Sequence, residues 1–463
     1  MKTIPRIENI YRPEATRVED YNEVERKFNA EELTMQASRC MDCGIPFCHG
    51  LGCPLGNVIP EMNEAVRTLN WKRAYEILSK TSNMPEFTSR VCPAICENAC
   101  TKNIENIPVM IRQLEKSVIE NAFENGYVKQ IIPENKSGKN VAVVGAGPSG
   151  LYMAFELYKK GHNVTVYEKR KYAGGLLRYG IPDFKLEKNI IERRIDILKA
   201  SGIDFQFNTE IGKDIAAEYL NKKYDATVLA IGTPEPRDLQ IKGRKLKNIY
   251  FALDFLSGQN MFIGKEINKL PINVKGKDVV IIGGGDTGSD CLGTSIRQKA
   301  ANITQIEIMP EPPKERSAST PWPDWPYELK TSSSHKEGGT RLWAKVVKEF
   351  HGTNGAVTSI DLVDAAWDFS PDGKPLSFKE VEGTLTNIKA DYVFIAMGFL
   401  GVDNNSFIKD LYLESYKRCR VECNPSKCIF KFLYMKTGQS LVVRAMANAK
   451  ETAKDVDDYL KGV

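Results

Sequence analysis

Residues 141–168 read Val141-Ala-Val-Val144, then Gly145-Ala-Gly147-Pro148-Ser149-Gly150, a helix-like run from Leu151 to Lys160, and Val164-Thr-Val-Tyr-Glu168. The order is strand, glycine turn, helix, strand, acid. Gly145 makes the tight turn out of the strand, Gly147 lets the backbone approach a pyrophosphate, and Gly150 lets the helix lie close on the sheet. The helix N-terminus beginning at Pro148 and Ser149 offers amide N–H groups and the positive end of a dipole to phosphates. Glu168 stands where a carboxylate accepts ribose hydroxyls, with Lys169 just past it. A lone glycine turn also occurs at ordinary strand–helix corners; with strand, helix and acid in register, the stretch reads as a dinucleotide-binding unit.

A second fingerprint follows at Val279-Val-Ile-Ile-Gly283-Gly-Gly285-Asp286-Thr287-Gly288, again after a Gly276-Lys277 turn. The chain also repeats a strand: Asp225-Ala-Thr-Val-Leu-Ala-Ile-Gly232 matches Asp391-Tyr-Val-Phe-Ile-Ala-Met-Gly398, each an apolar run ending in glycine, as expected of a buried parallel strand. The fold class expected is α/β: two Rossmann-like units, arranged as in flavin disulfide reductases, one for a resident flavin and one for an exchanging nicotinamide. Between them, Gly174-Gly175-Leu176-Leu-Arg178-Tyr-Gly-Ile-Pro182 is long and glycine-rich, and is read as covering a cofactor through Gly175, Leu176 and Arg178. The charged helix that follows, to Ser201, is read as a solvated face. Pro321-Trp-Pro-Asp-Trp-Pro326 and Ser332-Ser-Ser-His335 either pack the domain edge or form a lid. A 2′-phosphate would want a base just past the second strand of the nicotinamide unit; there Glu311 favours NADH, while Lys314 and Arg316 favour NADPH.

Before these units the pattern is different. Of eleven cysteines, seven lie between Cys40 and Cys100: Cys40, Cys43, Cys48 and Cys53, then Cys92, Cys96 and Cys100. Short spacings let one loop wrap several thiolates round a cluster while a distant cysteine closes it, and Cys-Pro pairs occur in two-cluster ferredoxins. Zinc is the rival, but the one nearby histidine is His49. Two 4Fe–4S clusters need eight ligands, so either one ligand is not a cysteine or there is one cluster with spare thiols. Residues 1 to about 35 are polar and are expected to wrap over the rest, and helices are read from about Glu31 and over 107–122. The remaining numbers exclude more than they assign. A charge of +5 spread over 463 residues has no basic run for nucleic acid, no stretch approaches the roughly 20 apolar residues of a membrane span, and no secretory leader is read. A cytoplasmic enzyme is the expectation. With four histidines and no triad pattern, no acid–base dyad is assigned.

The stretches Gln36-Ala-Ser-Arg-Cys-Met-Asp-Cys-Gly-Ile-Pro-Phe-Cys48, Gly174–Lys188, Gly283-Gly-Gly-Asp-Thr-Gly-Ser-Asp-Cys291, Ala396-Met-Gly-Phe-Leu-Gly401 and Gly438-Gln439-Ser440-Leu-Val-Val443 resemble the glutamate synthase small (beta) subunit family, related to the N-terminal half of dihydropyrimidine dehydrogenase. The resemblance implies two 4Fe–4S clusters with interleaved ligands: Cys40, Cys43, Cys48 and Cys100 for one, and Cys53, Cys92, Cys96 and Glu115 for the other. It implies FAD on the Gly145 unit, with Gly232, Gly398, Gly438, Gln439 and Ser440 contributing, and NADPH ahead of NADH on the Gly283 unit. It implies a large (alpha) subunit as partner, making glutamate from glutamine and 2-oxoglutarate. The domains expected are 1–134 (clusters), 139–255 and 396–463 (flavin) and 256–395 (nicotinamide). One stretch departs: Leu433-Tyr434 stand where the family has Gly-Asp, which would crowd the flavin and remove a hydrogen bond to it, unless a local frame error produced the break. The alternatives are a related reductase serving ferredoxin or a pyrimidine-reducing partner, and a degenerate non-catalytic copy.

Overall fold

The computed structural model describes residues 4–401 and 440–462, and the backbone of three short strands at 415–416, 420–421 and 429–431. Leu433, Tyr434, Gly438 and Gln439 lie outside the described residues.

The N-terminal domain is helical: α1 (Ala30–Ala37), α2 (Ile59–Arg67), α3 (Trp71–Ser79), α4 (Pro85–Val91) and α5 (Ile111–Glu124). Helix α1 starts where Asn29 accepts from the Glu32 amide and Glu32 accepts in return from the Asn29 amide, at 2.8 and 2.9 Å; this reciprocal cap satisfies two otherwise orphaned donors. Ile59, Met62, Val66, Leu78, Leu114 and Val118 form the core between the helices. The cysteines occupy the loops from α1 to α2 and from α4 to α5.

The first parallel sheet contains β1 (Asn140–Val144), β2 (Asn163–Tyr167), β3 (Asp204–Gln206) and β4 (Ala226–Leu229). Its order, from the edge strand Ile429–Lys431, runs through β4, β1, β2 and β3. Val141, Ala142 and Val143 are fully buried, because helices cover both faces of such a sheet. Helices α6 (Pro148–Lys159) and α7 (Lys188–Ser201) belong to it. The second sheet contains β5 (Ile249–Phe251), β6 (Asp278–Ile282), β7 (Asn302–Ile306) and β8 (Thr340–Leu342), with α8 (Ala252–Ile263) and α9 (Asp286–Arg297). Its remaining parallel strand is Tyr392–Ile395, between β5 and β6. The two echoed strands thus take equivalent places, each beside the strand that feeds its glycine turn. An antiparallel layer led by Lys345–Thr353 and Ala356–Phe369 covers the second sheet through Phe350, Ile360 and Leu362. The chain passes between the sheets twice, and the crossings pair as an antiparallel ribbon, Glu235–Pro236 with Phe399–Gly401.

Two expectations change. Residues 249–251, counted with the flavin segment, pair with Tyr392–Ile395 in the second sheet, so the nicotinamide unit starts earlier than residue 256. Helix α7 is not simply a solvated face. Arg194 is buried in a two-pronged ion pair with Glu86 of α4, at 2.5 and 3.0 Å, fastening the cluster domain to the first sheet. The helix's charge pattern alone carries no sign of a partner so far away in sequence.

The polar N-terminal segment does wrap over the molecule. Arg12 and Arg26 fold it on itself through Asp20 and Glu32. Arg17 then reaches the nicotinamide unit, where Glu337 accepts from Arg17 Nε at 2.6 Å and from Arg297 Nη1 at 2.7 Å. All three side chains are buried.

Candidate cofactor sites

Two recesses in the helical domain collect the cysteines. The first, of about 360 Å³ including its open mouth, is lined by Cys40, Cys43, Cys48 and Cys100. The second, of about 320 Å³, is lined by Cys53, Cys92, Cys96 and Glu115. Cys53 and Cys100 each join the set that is remote in sequence. The two loops cross closely where this happens: a Cβ on Gly52 would lie 2.7 Å from the Cys96 Cα, so only glycine admits the crossing. Among the described residues no three His, Cys, Asp or Glu side chains converge as the ligands of one metal ion do. The thiols of each recess ring a space, which suits a multi-iron cluster.

The chemistry of the lining fits such a group. Burial pushes the thiols of Cys48 and Cys53 up to about 12, helped by Cys100 beside the first and Glu115 beside the second. Cys96 is raised well above its ordinary value for the same reason. Cationic iron would reverse that preference by binding the thiolates directly. Burial also raises Glu115 to about 7, although the Asn57 side-chain amide donates to it at 2.9 Å. Asn63 lines the first recess, is fully buried, and has no hydrogen-bond partner for either amide atom. An orphaned amide facing a thiol-lined space suits a donor to cluster sulfur. Asn63→Leu should therefore lower that cluster's reduction potential by roughly 40 mV, a hydrogen bond of about 1 kcal/mol expressed for one electron. Potentiometric titration followed by electron paramagnetic resonance would measure it, and an unchanged potential would refute the role.

The two glycine turns show why their residues are required. Gly145 has φ +106°, and a Cβ there would approach the Ala230 carbonyl oxygen to 2.5 Å. A Cβ on Gly150 would collide with the Gly145 carbonyl oxygen, and Gly288 repeats that relation to Gly283. Ser149 is buried behind the turn at the start of α6. Glu168 accepts from the amides of Ala146 and Arg170, both at 2.9 Å, so one carboxylate ties the turn to the end of β2. Lys169, exposed beside it, pairs with Glu210 at 3.7 Å. Gly232 and Gly398, both at positive φ, would meet nothing within 4 Å with a Cβ, and neither would Gly285; these backbones border open space. Thr233, next to Gly232, is buried with an unpartnered hydroxyl. An open cradle with an orphaned hydroxyl suits a dinucleotide.

The glycine-rich connection lies on the first turn: the Gly174 amide donates to the Ala146 carbonyl at 2.8 Å, and a Cβ on Gly175 would come within 2.7 Å of the Gly147 Cα. Leu176 is partly exposed there. Arg178 is committed elsewhere, to Glu266 and Glu192 at 3.1 Å each, bracing the junction between the two units. Asp286 and Thr287 open α9, with Asp286 exposed. Lys314 is exposed, and Arg316 Nη1 donates to the carbonyls of Thr320 and Asp324. Ser440 is exposed.

The two compositionally odd segments act as braces. Trp322 packs against Phe47 with the rings tilted and centroids 4.7 Å apart, and donates its indole N–H to the Cys100 carbonyl at 3.2 Å, joining the nicotinamide unit to the first cysteine set. Ser332 caps the helix Ser333–Glu337. His335, which burial lowers to about 4 and so keeps neutral at pH 7, donates from Nε2 to the Gln305 side chain at 2.7 Å. Gln305 in turn donates to the Gly283 carbonyl at 2.8 Å, fixing the second turn from behind. Sequence reasoning missed one acid. Glu307, directly after β7, accepts from the amides of Gly284 and Met309 at 2.6 and 3.0 Å, repeating the pattern of Glu168. The signal was present in the matched offset, within one residue, of each acid from its glycine turn.

Residues 17–127 match the family described as dihydropyrimidine dehydrogenase domain II, 4Fe-4S cluster, and residues 139–426 match pyridine nucleotide-disulphide oxidoreductases. The glutamate synthase [NADPH] small chain of Mycobacterium tuberculosis is 44% identical over 97% of this chain and 93% of its own length. The Bacillus subtilis glutamate synthase [NADPH] small chain is 39% identical over 96% and 95%. Glutamate synthase [NADH] of Saccharomyces cerevisiae is 41% identical over 97% of this chain, which spans 22% of that longer protein. Among solved structures, FprA of Mycobacterium tuberculosis in complex with NADPH shares the fold, with a TM-score of 0.55 at 17% identity over 70% of this chain and 85% of its own. With its 4Fe–4S domain and its paired nucleotide-binding units, the chain belongs to the family of glutamate synthase small chains.

Proposed function

We propose that the chain is the electron-input subunit of a glutamate synthase, oxidising NADPH or NADH and supplying electrons to a large subunit that makes L-glutamate from L-glutamine and 2-oxoglutarate. The observation that carries this reading is the junction of the two kinds of site. The recess of Cys53, Cys92, Cys96 and Glu115 is also lined by Val443, and Val443 belongs to the helix Val442–Lys461 that packs on α6 of the flavin unit. On this reading the helix that walls the flavin unit also lines the second cysteine recess, which supports a short route from one cofactor to the other.

FAD, when bound, supplies hydride acceptance and one-electron release, and the clusters supply one-electron carriage. The chain's own part is positional. The amides at the start of α6 and α9 would hold the phosphates, Glu168 holds the flavin-side turn and would offer its carboxylate to a ribose, and Arg178 with Glu266 keeps the units in register.

An anaerobic ultraviolet–visible spectrum of the full chain, before and after pyridine nucleotide, tests the reading together with a glutamate assay. The expected result is a flavin band and an iron–sulfur shoulder that both bleach, with glutamate formed only when the large subunit is added. Glutamate made by the pure chain from glutamine and 2-oxoglutarate would overturn the proposal, as would a spectrum without flavin.

A further inference from the structure

The two glycine turns are built alike, and the likeness bears on which nucleotide the second one takes. In the flavin unit the acid at the end of the second strand, Glu168, receives the Ala146 amide at 2.9 Å. In the nicotinamide unit the equivalent acid, Glu307, receives the Gly284 amide at 2.6 Å. The middle residue of the turn is alanine in the first and glycine in the second. A Cβ on Gly284 would come within 2.5 Å of Glu307 Oε2, so this carboxylate lies closer to its turn than Glu168 does to the alanine turn. An acid at that place accepts hydrogen bonds from the adenosine ribose hydroxyls, and it repels a 2′-phosphate.

The nearby cations do not offset it. Arg316 donates through Nη1 to two loop carbonyls. Arg341, paired with Gln305 across the sheet, lies over the Trp343 ring at 4.5 Å and has Glu311 as a charged neighbour. Lys345 is paired with Asp364, and Lys314 is exposed. We propose that Glu307 reads the adenosine ribose of the nicotinamide nucleotide and that the site selects the unphosphorylated ribose, NADH over NADPH. The relatives are named for both nucleotides, so the preference has to come from this chain's own residues. The inference rests on reading the Gly283 unit as the nicotinamide site.

The test uses the purified holo-chain. Calorimetric titration with ADP-ribose and with 2′-phospho-ADP-ribose measures binding without turnover, and kcat/KM for NADH and NADPH is measured with ferricyanide as acceptor. Placing a phosphate beside a carboxylate should favour ADP-ribose and NADH on the order of a hundredfold. Glu307→Gln should shrink both ratios at least about tenfold, acting on KM more than on kcat. Equal or tighter binding of the 2′-phosphorylated probe by the unaltered chain would overturn the inference, and this comparison stands even if a variant fails to fold. Ratios unchanged in Glu307→Gln, with flavin content and melting temperature preserved, would overturn it too. If neither probe binds and neither nucleotide reduces the chain, the nicotinamide reading itself falls and the inference with it.

Discussion

Glu337→Ala is expected to destabilise the chain by about 3–5 kcal/mol, the cost of leaving buried charge without its partner. The structure puts the case at its most severe, because one carboxylate serves two buried guanidiniums. Arg17 Nε and Arg297 Nη1 both donate to Glu337, and none of the three side chains is more than 2% exposed. Arg17 Nη2 donates to the Ser333 carbonyl, and Arg297 Nη2 is shared between Glu337 Oε1 and the Arg17 carbonyl, at 3.2 Å each. Removing the acid therefore loosens the N-terminal strap as well as the nicotinamide unit. Against a usual total of about 5–15 kcal/mol, the loss is large enough to read directly by denaturant titration. It should come with early proteolytic cutting within residues 4–28. Glu337→Gln, which keeps the shape and some hydrogen bonding, should lose less. A variant as stable as the parent would show that the triad contributes nothing net.

Cys96→Ala should remove one cluster and spare the other. Iron content would fall from about eight to about four per chain, the remaining iron being held by Cys40, Cys43, Cys48 and Cys100. Glu115→Ala separates the two accounts of that residue. As a ligand, its loss destabilises or converts the second cluster and changes its resonance signal. As a buried carboxyl held by Asn57, its loss would alter stability while leaving iron unchanged. Iron and sulfide analysis of both variants decides the matter. Loss of all the iron in Cys96→Ala would refute the partition into two sets.

Much of this was legible in the sequence because it is local. Each glycine turn with its flanking strands and helix spans a few dozen residues, and the constraints on Gly150 and Gly288 are contacts within that span, whereas Gly145 and Gly283 are pressed by Ala230 and Ala396 of the two repeated stretches. The repeated strands at 226–229 and 392–395 announced two similar units. The cysteine spacings showed a cluster domain, but the partition into two sets came from resemblance, since spacing cannot say which loop crosses which. What stayed hidden was long-range. Arg194 meets Glu86, Arg178 meets Glu266 and Arg17 meets Glu337 across gaps that leave no periodicity in either partner. Glu307 was hidden differently: it sits inside an apolar strand-like run, Gln305-Ile-Glu-Ile-Met309, so the search for the ribose acid moved on to Glu311.

The helix Val442–Lys461 completes a unit whose first strand begins at Asn140. Met446, Ala449, Ala453 and Val456 close the same core as Leu151 and Leu157, and Asp457 accepts from Lys160 and His162. During synthesis, then, the nicotinamide unit can be finished on the ribosome while the flavin unit, begun earlier, still lacks a wall. That wall arrives only with residues 442–461, after the whole of the nicotinamide unit. Until then the part of that core which Met446, Ala449 and Ala453 cover stays open. A ribosome stalled before residue 442 would hold a chain with one mature nucleotide fold and one sticky, unfinished one, and it is that interval in which a chaperone would be needed.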